Sequence, residues 1–447
     1  MSEQFAFGPG GVRSVAKAVF TPDAADARDP SGFTSPEVSL PRVLLVSEAP
    51  AAIDAQGASK TLRALFGTYP GPLRLVTQAS VAREDDGLDR AAVRDRVIPR
   101  RLNRVGPRTA ELRERLDFQV ITRFGSLRWV VAGFRPDVVI VCPLGKWGVA
   151  VGAAAARFAH APLITYFMDD WPGTIAPYPE VARLLQVADA WLVISDRLRE
   201  VFVTRYRSIA PPTLVVHNPA RPSRGRSAVG DAIRSTAAPT NSAGPFTVVY
   251  AGSIQPMHFD ALVATARAIA DLRGRGVRSK LVVHTHPSFW TAHESVWRDL
   301  GVENGGLISH ALLEARLRDA DLLLVVASFL PTHAPMSQSS VQTKLTDYMA
   351  AGRPIFGVGP AGAASLEFIE RWQLGVTCTA PEPQSIAAAL EKWMATGVAR
   401  ESFERTAHEA LKMHFDPDVV RPKLWQFVAN VALRSPNLAS APSNDRA

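Results

Sequence analysis

A chain of 447 residues exceeds the size at which single hydrophobic cores stop growing, so two main domains are expected. With 47% apolar and 21% charged residues it is neither a disordered nor a fibrous chain, and its net charge of +8 favours phosphate-bearing or polyanionic partners. Two distant cysteines, Cys142 and Cys378, exclude a disulfide framework and a cysteine zinc site, and suit a reducing compartment.

The opening MSEQFAFGPGG lacks the apolar stretch of a signal peptide, and no run approaches about 18 apolar residues, so a cytoplasmic chain without a spanning helix is expected. Residues 1–40, rich in Pro, Gly, Ser, Ala and Asp without periodicity, read as a disordered arm. From Arg42 strands and helices alternate. Arg42–Ser47 is a buried strand, followed by a loop with Gly57 and a helix through Lys60–Phe66. Leu73–Gln78, Phe134–Val141, Leu163–Met168, Val187–Ile194 and Thr213–His217 are further strands, and Val149–Ala159 is a helix of small residues that suits close packing on a sheet. Near-continuous apolar strands alternating with helices imply a parallel sheet covered on both faces, so residues 41–219 form a first domain.

Residues 220–245 abandon the pattern for Pro, Ser, Gly, Arg and Thr and read as a linker. A second series spans 246–415: strands at Phe246–Ala251, Lys280–His284, Leu322–Val326 and Ile355–Val358, with helices at Asp260–Arg273, Leu312–Arg318 and Val341–Ala351. Residues 416–434, interrupted by Pro417 and Pro422, read as a C-terminal helix packing back on the first domain, and 435–447 as a flexible tail. The fold class is therefore α/β, with two Rossmann-like doubly wound domains facing a cleft, where ligands of open sheets bind.

Ser339–Pro354 (SSVQTKLTDYMAAGRP) carries the most chemistry. Ser339 or Ser340 suits an N-cap, Leu345, Tyr348 and Met349 share an apolar side, and Gly352 with Pro354 stops the helix. A helix N-terminus after a strand offers free N–H groups and a positive dipole end to an anion. Lys344 in the first turn adds a charge for a diphosphate, and Asp347 one turn on suits ribose hydroxyls; a solvated surface helix is the plainer alternative.

The run QTKLTDYMAAGRPIFGVGP (Gln342–Pro360), with Glu367 and Gly375 beyond it, resembles the nucleotide-binding helix of GT-B glycosyltransferases. It is most similar to the retaining family 4 and its P-x-K-L-x-E-Y-M-A-A-G-x-P segments. VVYAGSI (248–254), LEARLRDADLLLV (313–325), VISDRLREVF (193–202) and VVHNPA (215–220) resemble other segments of that family in the same order. The resemblance implies a hexosyltransferase-type, metal-independent enzyme. It would use a nucleotide-diphosphate sugar as co-substrate, need no cofactor, and transfer with retention to a glycan, lipid-linked or small-molecule acceptor in polysaccharide or glycoconjugate synthesis. By the same resemblance Lys344 and the backbone of Gln342, Thr343 and Lys344 hold the diphosphate, Asp347 binds ribose, and the Gly252–Ser253 turn faces the phosphates. Two departures stand out. Ser339 takes the place of an acidic residue that contacts the sugar, and Gln255-Pro256-Met257-His258 takes the place of an Arg and a Lys, with His258 or Arg353 the available substitutes.

On the first domain, Asp169 and Asp170 follow a strand and point to opposite sides. Either could take an acceptor proton, with Asp170 the favoured one, unless the pair only caps the following turn. The loop with Glu48 and Gly57 stands where an acceptor-contacting glycine loop lies, and Glu48 is an alternative base; the absence of G-x-G-x-x-G speaks against a dinucleotide. Residues 94–128 hold ten arginines against four carboxylates, with apolar residues at helical spacing. They suit either a domain-packed helix or peripheral contact with anionic membrane on its inner face. The histidines, His284-x-His286 included, lack a metal-ligand pattern, and no nucleic-acid motif accompanies the charge. Two rivals remain: a catalytically degenerate binding or scaffold protein, and a GT-B-fold nucleotide-sugar epimerase, which would want a carboxylate and histidine cluster in the cleft.

Overall fold

The computed structural model describes residues 40–51, 57–78, 88–93, 126–174, 179–206, 211–221, 244–396 and 400–434. The arm read at 1–40 apart from Leu40, most of the linker at 220–245, the tail at 435–447 and the basic stretch before Ser126 lie outside the described residues.

Two parallel sheets account for the strands. In the first, β1 (Val43–Ser47), β2 (Leu73–Gln78), β3 (Arg90–Val93), β4 (Val138–Cys142), β5 (Leu163–Phe167), β6 (Ala190–Val193) and β7 (Thr213–Val215) lie in the order β3-β2-β1-β4-β5-β6-β7. The second holds β8 (Phe246–Ala251), β9 (Ser279–His284), β10 (Glu303–Asn304), β11 (Leu322–Val326), β12 (Ile355–Val358) and β13 (Gly375–Cys378) in the order β10-β9-β8-β11-β12-β13. The apolar runs VLLVS, VVIVC, LITYF and LLLVV are buried along their whole length, as strands covered on both faces require. Small residues let the Lys146–Ala159 helix lie close on its sheet, since a Cβ at Gly152 would come within 2.4 Å of the Val141 side chain. These are two Rossmann-like, doubly wound halves.

Three local readings change. Val187 ends the helix Pro179–Val187 rather than starting a strand. The edge strands β3 and β10 have sequences RAAV and EN, too short for an apolar pattern to mark them. The final helix, Pro417–Leu433, runs through Pro422, which forgoes one backbone bond near the exposed first turn.

That last helix completes the first half. Leu424, Val428, Val431 and Ala432 share an apolar cluster with Val43, Leu45, Ile140 and Tyr166. Arg421 Nε donates to the Ala64 carbonyl at 2.6 Å and Trp425 Nε1 to the Leu65 carbonyl at 3.2 Å. The chain thus passes between the halves twice, and the passages are bonded together where the Ala220 N–H donates to the Phe415 carbonyl at 2.9 Å. Burial in that junction, between Phe368 and Phe415, pulls His217 down to about 4 and keeps it neutral.

Candidate functional site

Each sheet reverses its winding once, between β1 and β4 and between β8 and β11, and open α/β sheets hold ligands at the carboxyl ends of such strands. In the second half the Lys344–Ala351 helix is fastened over that point. The Tyr348 hydroxyl donates to the Leu324 carbonyl at 3.3 Å and accepts from the Ala251 N–H at 2.9 Å. Gln342 Nε2 donates to the Val326 carbonyl at 2.8 Å. Leu345, Tyr348 and Met349 are buried beneath, and Gly352 ends the helix at φ 66°.

The helix begins three residues later than the 341–351 reading. A separate helix, Ala334–Ser339, precedes it, and Thr343 stands at the N-cap with no side-chain cap bond. Lys344 is therefore the first helical residue. Its Nζ is buried without a hydrogen-bond partner, lying 3.7 Å from the centre of the Tyr250 ring. Burial in apolar surroundings pulls its pKa down to about 7. Gly252, at φ 132°, forms the adjoining wall, where a Cβ would come 3.3 Å from that Nζ. Gln342 Oε1, also buried, lacks a partner too. An isolated amine at an uncapped helix N-terminus is a socket shaped for an oxyanion.

The residues read as auxiliary cations do other things. His258 is buried, its Nδ1 3.1 Å from the Ser253 carbonyl and 3.3 Å from the Tyr250 hydroxyl. Burial, with Lys344 nearby, pulls it down to about 3, so it is neutral and cannot stand in for a phosphate-binding cation. Arg353 donates to the Arg318 carbonyl, at the far ends of β11 and β12. Ser253 is exposed beside the Gly252 turn, and its carbonyl is engaged by Tyr250 and His258. Ser339 is fully buried. Its hydroxyl donates back to the Pro335 carbonyl at 2.6 Å, so it does not reach toward a sugar, and its own carbonyl accepts from Ser195 Oγ across the cleft at 2.9 Å.

Asp347 meets the opposite half directly: Lys60 Nζ lies 2.6 Å from its Oδ1, both side chains part-exposed. Lys60 occupies the first turn of the Ala58–Phe66 helix, whose N-cap, Gly57, at φ 58°, also lacks a side-chain cap bond. Two uncapped helix starts are thereby brought within one side chain's reach of each other. Lys60 was legible only as a helix residue, because nothing local in the sequence pairs it with a position nearly 290 residues away.

The first-half carboxylates separate into different roles. Asp170, favoured from the sequence as the cleft-facing acid, is 1% exposed and bidentate to Arg205, with Nη1–Oδ1 at 2.6 Å and Nη2–Oδ2 at 2.7 Å. It is spent on an internal ion pair. Asp169 is part-exposed, and its Oδ1 accepts from the Trp171 N–H at 3.1 Å. Burial pushes its carboxyl up to about 6 against that bond. Glu48 follows β1, yet its oxygens accept from the Leu144 N–H at 2.9 Å and the Gly148 N–H at 2.7 Å, capping the Lys146–Ala159 helix. Desolvation raises its pKa over those bonds. A capping carboxylate held this way is a poor base. Residues 52–56 of the same loop lie outside the described residues.

Among the described residues no group of His, Cys, Asp and Glu is placed to hold a metal, and no helix is long and apolar enough to cross a membrane. His284 is engaged by the Gly305 carbonyl and His286 by Ser288.

No protein-family model and no curated protein matches the sequence. Solved structures do match the fold. The Anabaena protein HepE in complex with UDP-glucose superposes with a TM-score of 0.63 at 13% identity, over 87% of this chain and 100% of that one. Sucrose-phosphate synthase from Thermosynechococcus elongatus gives 0.65 at 12% identity, over 89% and 100%. The α,α-trehalose 6-phosphate synthase from Burkholderia multivorans gives 0.64 at 12%, over 90% and 99%. These neighbours are GT-B glycosyltransferases, and identities this low carry the fold alone: two Rossmann-like domains across a cleft, the GT-B architecture.

Proposed function

We propose that this protein is a nucleotide-sugar-dependent glycosyltransferase whose second half holds the donor's diphosphate. The observation that carries the reading is the buried, unpartnered Lys344 amine between the Gly252 turn and an uncapped helix start, at the point where such sheets bind ligands. Fold neighbours crystallised with UDP and UDP-glucose support the donor class.

In this reading the phosphate oxygens meet the Lys344 ammonium and the helix N–H groups, which stabilise the charge that grows on the leaving diphosphate as the sugar departs. Gly252 lets the backbone approach, and Asp347 accepts from the ribose hydroxyls. Asp169, part-exposed after the carboxyl end of β5 and ionising near pH 6, takes the acceptor proton late in transfer. The resemblance to family 4 adds retention, a hexosyl donor and a glycan, lipid-linked or small-molecule acceptor, while the two free cysteines suit a cytoplasmic setting. Peripheral membrane contact through 94–128 is a proposal of the same rank.

One observation favours a second reading. Asp170, Glu48 and Ser339 are all engaged internally, as a nucleotide-sugar-binding protein without turnover would allow. Thermal stabilisation by UDP, GDP and ADP, followed by release of sugar from UDP-, GDP- and ADP-sugars, tests both. Stabilisation with turnover supports the transferase, and stabilisation without it the binding protein. If no nucleotide diphosphate stabilises the protein, both are wrong.

A further inference from the structure

The donor site as built by the second half is short of positive charge. A diphosphate between nucleoside and sugar carries a charge on each phosphate, and of the candidate cations on this side Lys344 alone reaches the Gly252 turn. His258 is buried and bonded to the Ser253 carbonyl, and Arg353 is bonded at the opposite end of the sheet. The other half supplies what is missing. Lys60 Nζ sits 2.6 Å from Asp347, and Asp347 is one helical turn from Lys344, a spacing that places their β-carbons about 5–6 Å apart. The Lys60 side chain is 39% exposed and unbranched, so its ammonium can swing without repacking. It stands in the first turn of an uncapped helix, whose positive end adds to the field at the same spot.

We propose that Lys60 is the second cation of the donor diphosphate site, delivered from the first half across the cleft. Resting on the reading of the preceding subsection, this assigns the charge of the phosphates to both halves. Without donor, Lys60 is parked on Asp347. When ribose hydroxyls take Asp347, the ammonium passes to the phosphate oxygens and fastens the first half onto the donor. Donor binding and cleft closure then share one side chain, and a nucleoside lacking phosphates would displace Lys60 without giving it a new partner.

The test is calorimetric titration of full-length protein with UDP, UMP and uridine, or the guanosine or adenosine series if GDP or ADP stabilises the wild type instead. Lys60→Met is expected to weaken diphosphate binding about 10- to 100-fold, the loss of one charge-assisted contact, while the free nucleoside binds as well as before or better. Lys60→Arg is expected to recover most of the loss. A Met variant that binds the diphosphate as tightly as wild type, or more tightly, makes Lys60 a latch on Asp347 and overturns the proposal. Equal weakening for nucleoside and diphosphate overturns it too, because the effect is then structural. A wild type that binds no nucleotide overturns the donor-site reading itself, whereas wild-type binding with an indifferent Lys60→Met leaves that reading standing.

Discussion

Replacing Lys344 by methionine should make the empty protein more stable and the liganded protein worse. Burial pulls the Lys344 ammonium from its ordinary 10.5 to about 7, and each tenfold change in proton affinity is about 1.4 kcal/mol, so the buried charge opposes folding by on the order of 5 kcal/mol at low pH. The Tyr250 ring, 3.7 Å away, returns about 1–2 kcal/mol of that through its negative face. Methionine keeps the length of the stem and removes the charge. Because the folded-state pKa lies below the unfolded one, the penalty is full below pH 7, shrinks as pH rises, and is gone above about 10.5. Urea unfolding of Lys344→Met should therefore show a gain of a few kcal/mol at pH 6 that shrinks to about 1 kcal/mol or less by pH 10. Diphosphate affinity should fall roughly 10- to 150-fold, the worth of a charged hydrogen bond of about 1.5–3 kcal/mol. Wild-type binding at pH 8 should take up a proton, read as a dependence of the heat on buffer ionisation enthalpy. A variant that is destabilised at pH 6 and binds UDP undiminished would refute the reasoning.

Gly252→Ala, at φ 132° and with a Cβ only 3.3 Å from Lys344 Nζ, should cost about 1–3 kcal/mol of stability and most of the diphosphate affinity, seen by thermal melts with and without nucleotide. Asp170→Ala leaves Arg205 unpaired; since Arg205 is 36% exposed and can rehydrate, the loss should be about 2–3 kcal/mol, below the range for a fully buried pair, and should appear as a lower melting temperature. Asp169→Asn removes a carboxylate whose burial disfavours its charge and keeps the acceptor for the Trp171 N–H, so it should melt above the wild type at neutral pH while abolishing sugar transfer in a product assay. The turnover of the wild type should rise through about pH 6 as Asp169 ionises. Its raised folded-state pKa also means that Asp169's contribution to stability falls as pH climbs from about 4 to 6, measurable by denaturant unfolding across that window.

The architecture was legible because its strands announce themselves. VVIVC and LLLVV are continuous apolar runs bounded by turns, and in parallel sheets such runs have few other places to go. Edge strands such as EN carry no comparable pattern. At the site, a helix carrying Lys344 and a turn at Gly252 were legible as local features. What could not be read was how polar groups pair across long separations. Asp169 and Asp170 are neighbours in sequence, and only the position of Arg205 on a later helix decides that Asp170 is consumed. Glu48 looks like a free acid until the Lys146–Ala159 helix brings its N–H groups to it. The start of the Lys344 helix was misplaced because Ser339, a good N-cap by type, ends the previous helix instead.

The closing helix at Pro417–Leu433 sets an order on the birth of the protein. Its Leu424 and Val428 complete a face of the first sheet that Leu62, Leu65 and Phe66 also cover, so part of that face stays open while everything after Arg221 is still being made. At about 5–20 residues per second, translation of the intervening stretch lasts on the order of 10–40 s. During that wait the nascent first sheet presents apolar surface around Leu45 and Ile140, a natural client surface for ribosome-associated chaperones. The second sheet owes less to the far end of the chain, since one of its faces closes in a cluster whose buried residues run from Val248 to Leu390. In the cell the first half should therefore be completed only after the second half has been synthesised.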